Sequence, residues 1–118
     1  MKNILEEIAA RTRERIAKEK TCISVSELEN RIQEVNKNAR QKITFLQALQ
    51  KDGMSYICEV KKASPSKGLI APDFPYLAIA KEYEQAGASA ISCLTEPFYF
   101  QGADQYLREI AATVQIPV

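Results

Sequence analysis

Hydrophobic positions in the first fifty residues recur at the three- and four-residue spacing of amphipathic helices. In the first segment these positions are Ile4, Leu5, Ile8, Ala9 and Ile16. In the second segment they are Val25, Leu28, Ile32 and Val35. Either Ser24 or Ser26 can cap this second helix, because a glutamate follows each of them three residues later. Thr44 is expected to cap a third, short helix that ends at Gly53.

After Gly53 the pattern alternates between short apolar runs and helical periods. The predicted elements are a strand at about 55–62, a helix at about 75–86 that begins behind Asp73 and stops at Gly87, a strand at about 90–95, a helix at about 104–114 and the start of a strand at 116–118. The second strand is apolar on both faces, which is typical of a parallel strand covered by helices. The chain is therefore predicted to have a helical segment at 1–53, followed at 54–118 by an α/β repeat with right-handed crossovers. A closed barrel of eight such units takes about 250 residues. An open three-stranded sheet would fit within this length but would leave an apolar face without cover, so this chain is expected to be truncated.

Composition narrows the possible partners. Sixteen basic and 15 acidic residues are interleaved and give a net charge of +1, which favours neither nucleic acid nor an anionic membrane. No apolar run approaches the length that a bilayer requires, and histidine is absent. The three cysteines, Cys22, Cys58 and Cys93, lack zinc spacing, and two lie in apolar runs. These features predict a cytoplasmic protein without a metal site.

Candidate chemistry lies on the first predicted strand. Because side chains alternate along a strand, Glu59 and Lys61 share one face and project opposite charges side by side. They are either a catalytic pair at the carboxyl end of a covered strand or a half-solvated surface pair, and the pattern favours neither. Ser64 and Pro65 follow, where a polar turn is a better interpretation than an anion contact.

A second candidate loop, 96–102, follows the second strand and carries three consecutive aromatic residues. Such rings can form the wall of a pocket for a planar ligand. For Phe98 and Tyr99, packing against the rest of the fold is favoured. For Phe100, packing and ligand contact are evenly balanced.

Residues 57–68, ICEVKKASPSKG, resemble the signature strand and loop of indole-3-glycerol phosphate synthases. The resemblance extends through ILEEI near the start, FLQAL before the first strand and SCLTEPFYFQG after the second. It implies a partial barrel at 54–118, made of the first two βα units and the start of the third strand of a (β/α)8 TIM barrel, preceded by a helical extension at 1–53. The implied activity is cofactor-free ring closure of 1-(2-carboxyphenylamino)-1-deoxyribulose 5-phosphate in tryptophan biosynthesis, with release of carbon dioxide and water.

The resemblance also implies roles for individual residues. Glu59 resembles the family's glutamate that assists proton transfer during dehydration, and Lys61 resembles the lysine that meets the substrate's negative groups. Ser64 and Pro65 match a substrate-contacting loop, and Phe100 matches an aromatic residue near the anthranilate ring. The family's second catalytic lysine belongs to the third strand beyond the part present here, so the isolated chain is expected to lack useful turnover.

Two other hypotheses remain beside this one. Another phosphate-binding barrel of the same pathway would share the architecture, although the EVKKASPS run argues against it. Alternatively, unpaired strand edges and apolar sheet faces predict self-association, or pairing with the missing remainder of the barrel. The basic run on the first helix is interrupted by glutamates, which argues against a nucleic-acid module.

Overall fold

The computed structural model describes residues 3–39 and 42–118. They form two compact units, one made of the described residues up to 39 and the other of 42–118. No helix within these described ranges combines the length and the apolar character needed to cross a membrane.

The first unit consists of two helices, α1 (Ile4–Cys22) and α2 (Val25–Asn38). The Ser24 hydroxyl accepts the Glu27 amide N–H at 3.2 Å. Ser24 is therefore the cap of α2, whereas Ser26 lies inside its first turn. Asn3 caps α1 in the same way, accepting from the Leu5 amide at 3.0 Å. Both helices thus begin where a side chain satisfies an amide that has no partner within the helix.

The third helix, α3 (Phe45–Leu49), begins with a reciprocal cap. The Thr44 hydroxyl accepts from the Gln47 amide at 3.1 Å, and the Gln47 side chain accepts from the Thr44 amide at 2.8 Å, so the cap expected at Thr44 is confirmed. The helix is shorter than expected and ends before Gly53. The helix lies in the second compact unit, and its Ala48 is buried. The predicted boundary of the helical extension at residue 53 stays a prediction.

Two parallel strands form the centre of the second unit. β1 (Ile57–Val60) is followed by a hairpin, β2 (Ala63–Ser64) and β3 (Gly68–Leu69), and then by α4 (Tyr76–Gln85), β4 (Ala90–Cys93) and α5 (Asp104–Thr113). β1 pairs in parallel with β4, with Ile57 opposite Ala90 and Val60 opposite Cys93. The strand–helix–strand order is therefore as predicted, but both strands are shorter than the sequence predicts, and the hairpin has no counterpart among the predicted elements.

The ends of α4 have different determinants. Asp73 does not cap the helix, because Pro75 occupies the cap position and its carbonyl accepts the Ile79 N–H at 3.0 Å. Proline tolerates this position because it has no N–H to leave unpaired. At the other end, Gly87 has φ 95°, a left-handed conformation that favours glycine. The helix therefore stops before Gly87, as predicted.

Residues 116–118 form no strand, although the sequence predicts the start of one. The segment nevertheless approaches β4, because the Pro117 carbonyl accepts the Ile91 N–H at 2.9 Å. Proline cannot donate to a ladder, so a single hydrogen bond is formed instead of a strand pair.

The core lies between one face of the strand pair and the helices α4 and α5. Its buried members are Val60, Ala80, Ile91, Ile110 and Val114. The rings of Phe74, Tyr76 and Tyr106 pack beside it, with centroids 4.5–5.7 Å apart. On the other face of the pair, Ile57 and Glu59 are exposed. The helix-covered face therefore fixes the strands, and the opposite face carries the candidate chemistry.

Candidate active site

The first candidate residues, Glu59 and Lys61, lie at the carboxyl end of β1. Val60 between them is 1% exposed and points into the core, so strand alternation directs its two neighbours to the opposite face. Lys61 Nζ lies 3.3 Å from Glu59 Oε1, with side chains 35% and 45% exposed. In this chain the pair is thus half-solvated and contributes about 0–1 kcal/mol to stability. Both charged groups are open to a ligand.

The backbone at this pair is fixed from two sides. The Tyr83 hydroxyl, on α4, donates to the Glu59 carbonyl at 2.9 Å. The Leu94 amide donates to the Val60 carbonyl at 3.2 Å and extends the β1–β4 ladder. Tyr83 is not among the predicted site residues, because a tyrosine on an amphipathic helix has no local signal beyond its place in the apolar stripe.

Ser64 and Pro65 lie in the hairpin that follows Lys61. Ser64 is buried, pairs with Gly68 across the hairpin and accepts the Lys67 amide on its hydroxyl at 3.2 Å. Gly68 has φ 63°, a conformation that favours glycine. The turn predicted from the sequence is therefore present. The Ser64 hydroxyl hydrogen can still be donated to a ligand, so substrate contact by Ser64 and by the exposed Pro65 stays a prediction.

The loop after β4 is organised by Glu96, which is not among the predicted site residues. Its carboxylate accepts three consecutive amides, from Phe98 at 2.9 Å, Tyr99 at 2.6 Å and Phe100 at 3.1 Å. Phe98 is exposed, whereas Tyr99 and Phe100 are partly buried. The packing of Phe98 and Tyr99 against the rest of the fold stays a prediction. No local pattern predicts a glutamate that bonds the backbone of its own loop.

The parallel pairing of β1 and β4 brings the two candidate loops to one edge. Since Val60 lies opposite Cys93, the segments that carry Lys61 and Phe100 both leave the carboxyl end of the pair. This is the edge where ligands bind in parallel α/β proteins. All five predicted site residues therefore lie on β1 or on the segments that follow the two strands.

The cysteine thiols contribute little reactivity at this edge. Burial raises the pKa of the Cys93 thiol, which packs against the core. Among the described residues, no three histidine, cysteine, aspartate or glutamate side chains are placed to hold a metal ion. The candidate groups at this edge are the Glu59 carboxylate, the Lys61 ammonium group, the Ser64 hydroxyl and the Phe100 ring.

Comparison with known proteins assigns the family. The family described as indole-3-glycerol phosphate synthase matches residues 5–118. Proteins named indole-3-glycerol phosphate synthase from Ruminiclostridium cellulolyticum and Lacticaseibacillus paracasei are both 49% identical to this chain, over 116 and 114 residues. One from Endomicrobium trichonymphae is 50% identical over 115 residues.

These alignments cover 97–98% of the chain but only 43–44% of each relative. The chain thus spans less than half the length of the curated relatives it matches. The resemblance inferred from the strand and loop motifs is confirmed: the chain belongs to the indole-3-glycerol phosphate synthase family and corresponds to its amino-terminal part.

Proposed function

We propose that a protein containing this chain is an indole-3-glycerol phosphate synthase, a carbon–carbon lyase of tryptophan biosynthesis. Its substrate is 1-(2-carboxyphenylamino)-1-deoxyribulose 5-phosphate, which is closed to an indole with loss of carbon dioxide and water. The observation that carries the proposal is the Glu59–Lys61 pair, at 3.3 Å, on the accessible face of β1 in a member of this family.

The pair suits the proton transfers that this reaction needs. Ring closure joins an aromatic carbon to the substrate's carbonyl carbon, so the carbonyl oxygen becomes a hydroxyl that must be protonated to leave as water. Lys61 is a compact ammonium group that can meet the substrate's carboxylate and donate a proton. Glu59, within reach of Lys61, can accept a proton during the dehydration.

Substrate binding completes the proposal. Ser64 and Pro65 contact the substrate from the hairpin after β1, and Phe100 packs on its anthranilate ring from the loop after β4. The shared edge of the two loops supports this assignment. The reaction uses no cofactor or metal and takes place in the cytoplasm. The chain supplies the first two βα units of a TIM barrel.

A chimaeric enzyme tests the proposal. Residues 5–118 replace the matching segment of the Ruminiclostridium cellulolyticum relative, and ring closure is followed in the steady state. We expect the parent chimaera to be active, and Glu59→Gln and Lys61→Met to lower kcat by at least about 100-fold, the scale of general acid–base catalysis. The control is Lys51→Met, which removes an exposed lysine in the turn after α3. A folded chimaera in which Lys61→Met retains full kcat would refute the assigned role.

The 118-residue chain alone is proposed to lack turnover, because the family's remaining catalytic and phosphate-binding groups come from later strands. Sedimentation of the chain, alone and mixed with the remainder of the relative, distinguishes pairing with the rest of the barrel from self-association. A 1:1 complex with activity supports pairing with the rest of the barrel. Self-association without gain of activity supports a scaffold whose open strand face binds another copy.

A further inference from the structure

The loop after β4 contains a carboxylate in an arrangement that resembles a bound anion. Oε1 of Glu96 accepts the Phe98 amide, and Oε2 accepts both the Tyr99 and Phe100 amides. Successive backbone N–H groups in a turn form a concave site for negative charge. Here that site is filled by a side chain of the same loop, and hydrogen bonds to an ionised acceptor are among the strongest in proteins.

The same loop is closed by its backbone. The Glu96 carbonyl accepts the Gly102 amide at 2.8 Å. A Cβ at Gly102 would lie 2.3 Å from the Leu94 carbonyl oxygen and 2.6–2.7 Å from backbone atoms of Thr95. Glycine is therefore required where the chain returns against the end of β4. Phe100 lies between these two fixed points, so its position is set by bonds at residues 96 and 102.

We infer that Glu96 is a positioning residue that fixes Phe100 for packing against the aromatic ring of the substrate. This inference rests on the proposed function and extends it, because neither the motif nor the acid–base pair assigns any role to Glu96. Glu96 uses both carboxylate oxygens on its own loop, so its role is to order the backbone that carries Phe100. The role predicts an effect on substrate binding and little effect on the chemical step.

The two oxygens of Glu96 make the inference specific. In Glu96→Gln, the amide has one oxygen and one NH2 group, and the NH2 group cannot accept an N–H. The best orientation keeps the bonds from Tyr99 and Phe100 and loses that from Phe98. Glu96→Ala loses all three. If only the size and shape of the side chain mattered, Glu96→Gln would behave like the parent. If the three hydrogen bonds order the loop, that order should decrease from the parent to Glu96→Gln and further to Glu96→Ala.

The first measurement is amide hydrogen exchange over 96–102 in this chain. We expect exchange at residues 98–100 to be faster by about tenfold or more in Glu96→Ala, because local opening no longer breaks three hydrogen bonds. Glu96→Gln should be intermediate. Glu82→Gln, an exposed position on α4, is the matched control and should leave this loop unchanged. Parent-like exchange in Glu96→Ala would overturn the inference.

The second measurement is the kinetics of the same variants in the chimaeric enzyme. We expect Glu96→Ala to raise KM about tenfold while kcat stays within about threefold, the signature of lost uniform binding. Glu96→Gln should again be intermediate. An active parent whose KM is unaffected by Glu96→Ala would overturn the positioning role and leave the proposed function intact. A folded but inactive parent would refute the proposed function, and the exchange result would then decide whether Glu96 orders the loop.

Discussion

The two compact units are stabilised in different ways. Neither α1 nor α2 has a buried residue. In the second unit, by contrast, side chains from β1, β4, α4 and α5 meet in one buried cluster. The first unit therefore relies on contacts between residues close in sequence, whereas the second depends on contacts between residues far apart.

The local contacts of the first unit are caps and ion pairs within single helices. Glu27 and Arg31 pair at 2.5 Å on α2, and Arg15 and Glu19 pair at 3.3 Å on α1. Exposed pairs of this kind each contribute about 0.2–0.5 kcal/mol. The apolar stripe of α2 consists of the exposed residues Val25, Leu28, Ile32 and Val35. None of these residues is buried, so tertiary packing within the first unit contributes little to the stability of α2.

The second unit adds polar contacts over long sequence separations. Lys42 Nζ donates to the Ala111 carbonyl and, at 2.5 Å, to the Val114 carbonyl. These carbonyls lie at the carboxyl end of α5, where a positive charge is favourable. Glu84 on α4 accepts the amides of Gln115 and Ile116 at 2.7 and 3.0 Å. The end of α5 is therefore held by residues from two distant segments.

The largest loss of unfolding free energy that distinguishes the two units is expected for Ile110→Ala. Ile110 is 0% exposed in the core, and removing its side chain leaves a cavity that costs about 2–5 kcal/mol of unfolding free energy. All five tyrosines lie between residues 56 and 106, so urea unfolding followed by near-UV circular dichroism reports on the second unit. The control Leu107→Ala, on the exposed part of α5, should cost less than about 1 kcal/mol. Equal losses in the two variants would contradict the buried core.

A smaller effect is expected in the first unit, from the cap of α2. Ser24→Ala removes the acceptor for the Glu27 amide and should cost about 1 kcal/mol of helix stability. We expect lower helicity by far-UV circular dichroism and an unchanged tyrosine signal. Ser26→Ala is the matched control, because Ser26 lies within the helix, where alanine is the better helix former. If Ser26→Ala were the more damaging change, the assignment of the cap would be wrong.

The sequence predicted those features of the fold that depend on local patterns. Thr44 as a cap, Gly87 as a helix end and the strand–helix–strand order all follow from residues within a few positions of each other. The sequence predicts that α4 begins behind Asp73, but Pro75 occupies the cap position. The segment 116–118 was predicted as a strand, and the missing N–H of Pro117 left it with one hydrogen bond to β4.

In the candidate site too, the sequence predicted only what depends on local patterns. Alternation along a strand correctly placed Glu59 and Lys61 on one face, but it could not give their exposure, which depends on what covers that face. Tyr83 and Glu96 were missed because their partners are backbone atoms whose positions require the folded chain. Residue identity thus indicated the charged groups, and only the tertiary structure revealed what positions them.

The smallest predicted effect is a pH dependence within the second unit. The Tyr76 hydroxyl donates to Glu109 Oε2 at 2.5 Å and joins α4 to α5. This hydrogen bond is the main cause that lowers the pKa of Glu109, followed by the bond from Gln105. Because the pKa is lower in the folded state, the stabilisation is complete above the unfolded value of about 4.3. It is lost as the pH falls through the folded value.

Tyr76→Phe should therefore reduce the free energy of unfolding more at pH 7 than at pH 3, as measured by urea unfolding across that range. The matched control is Tyr83→Phe, which also removes one hydroxyl from α4. Tyr83 donates to a backbone carbonyl, which does not titrate, so its loss should be the same at both pH values. A loss in Tyr76→Phe that does not change with pH would show that Glu109 is not stabilised by this bond. An equal pH dependence in the two variants would place its source elsewhere in the chain.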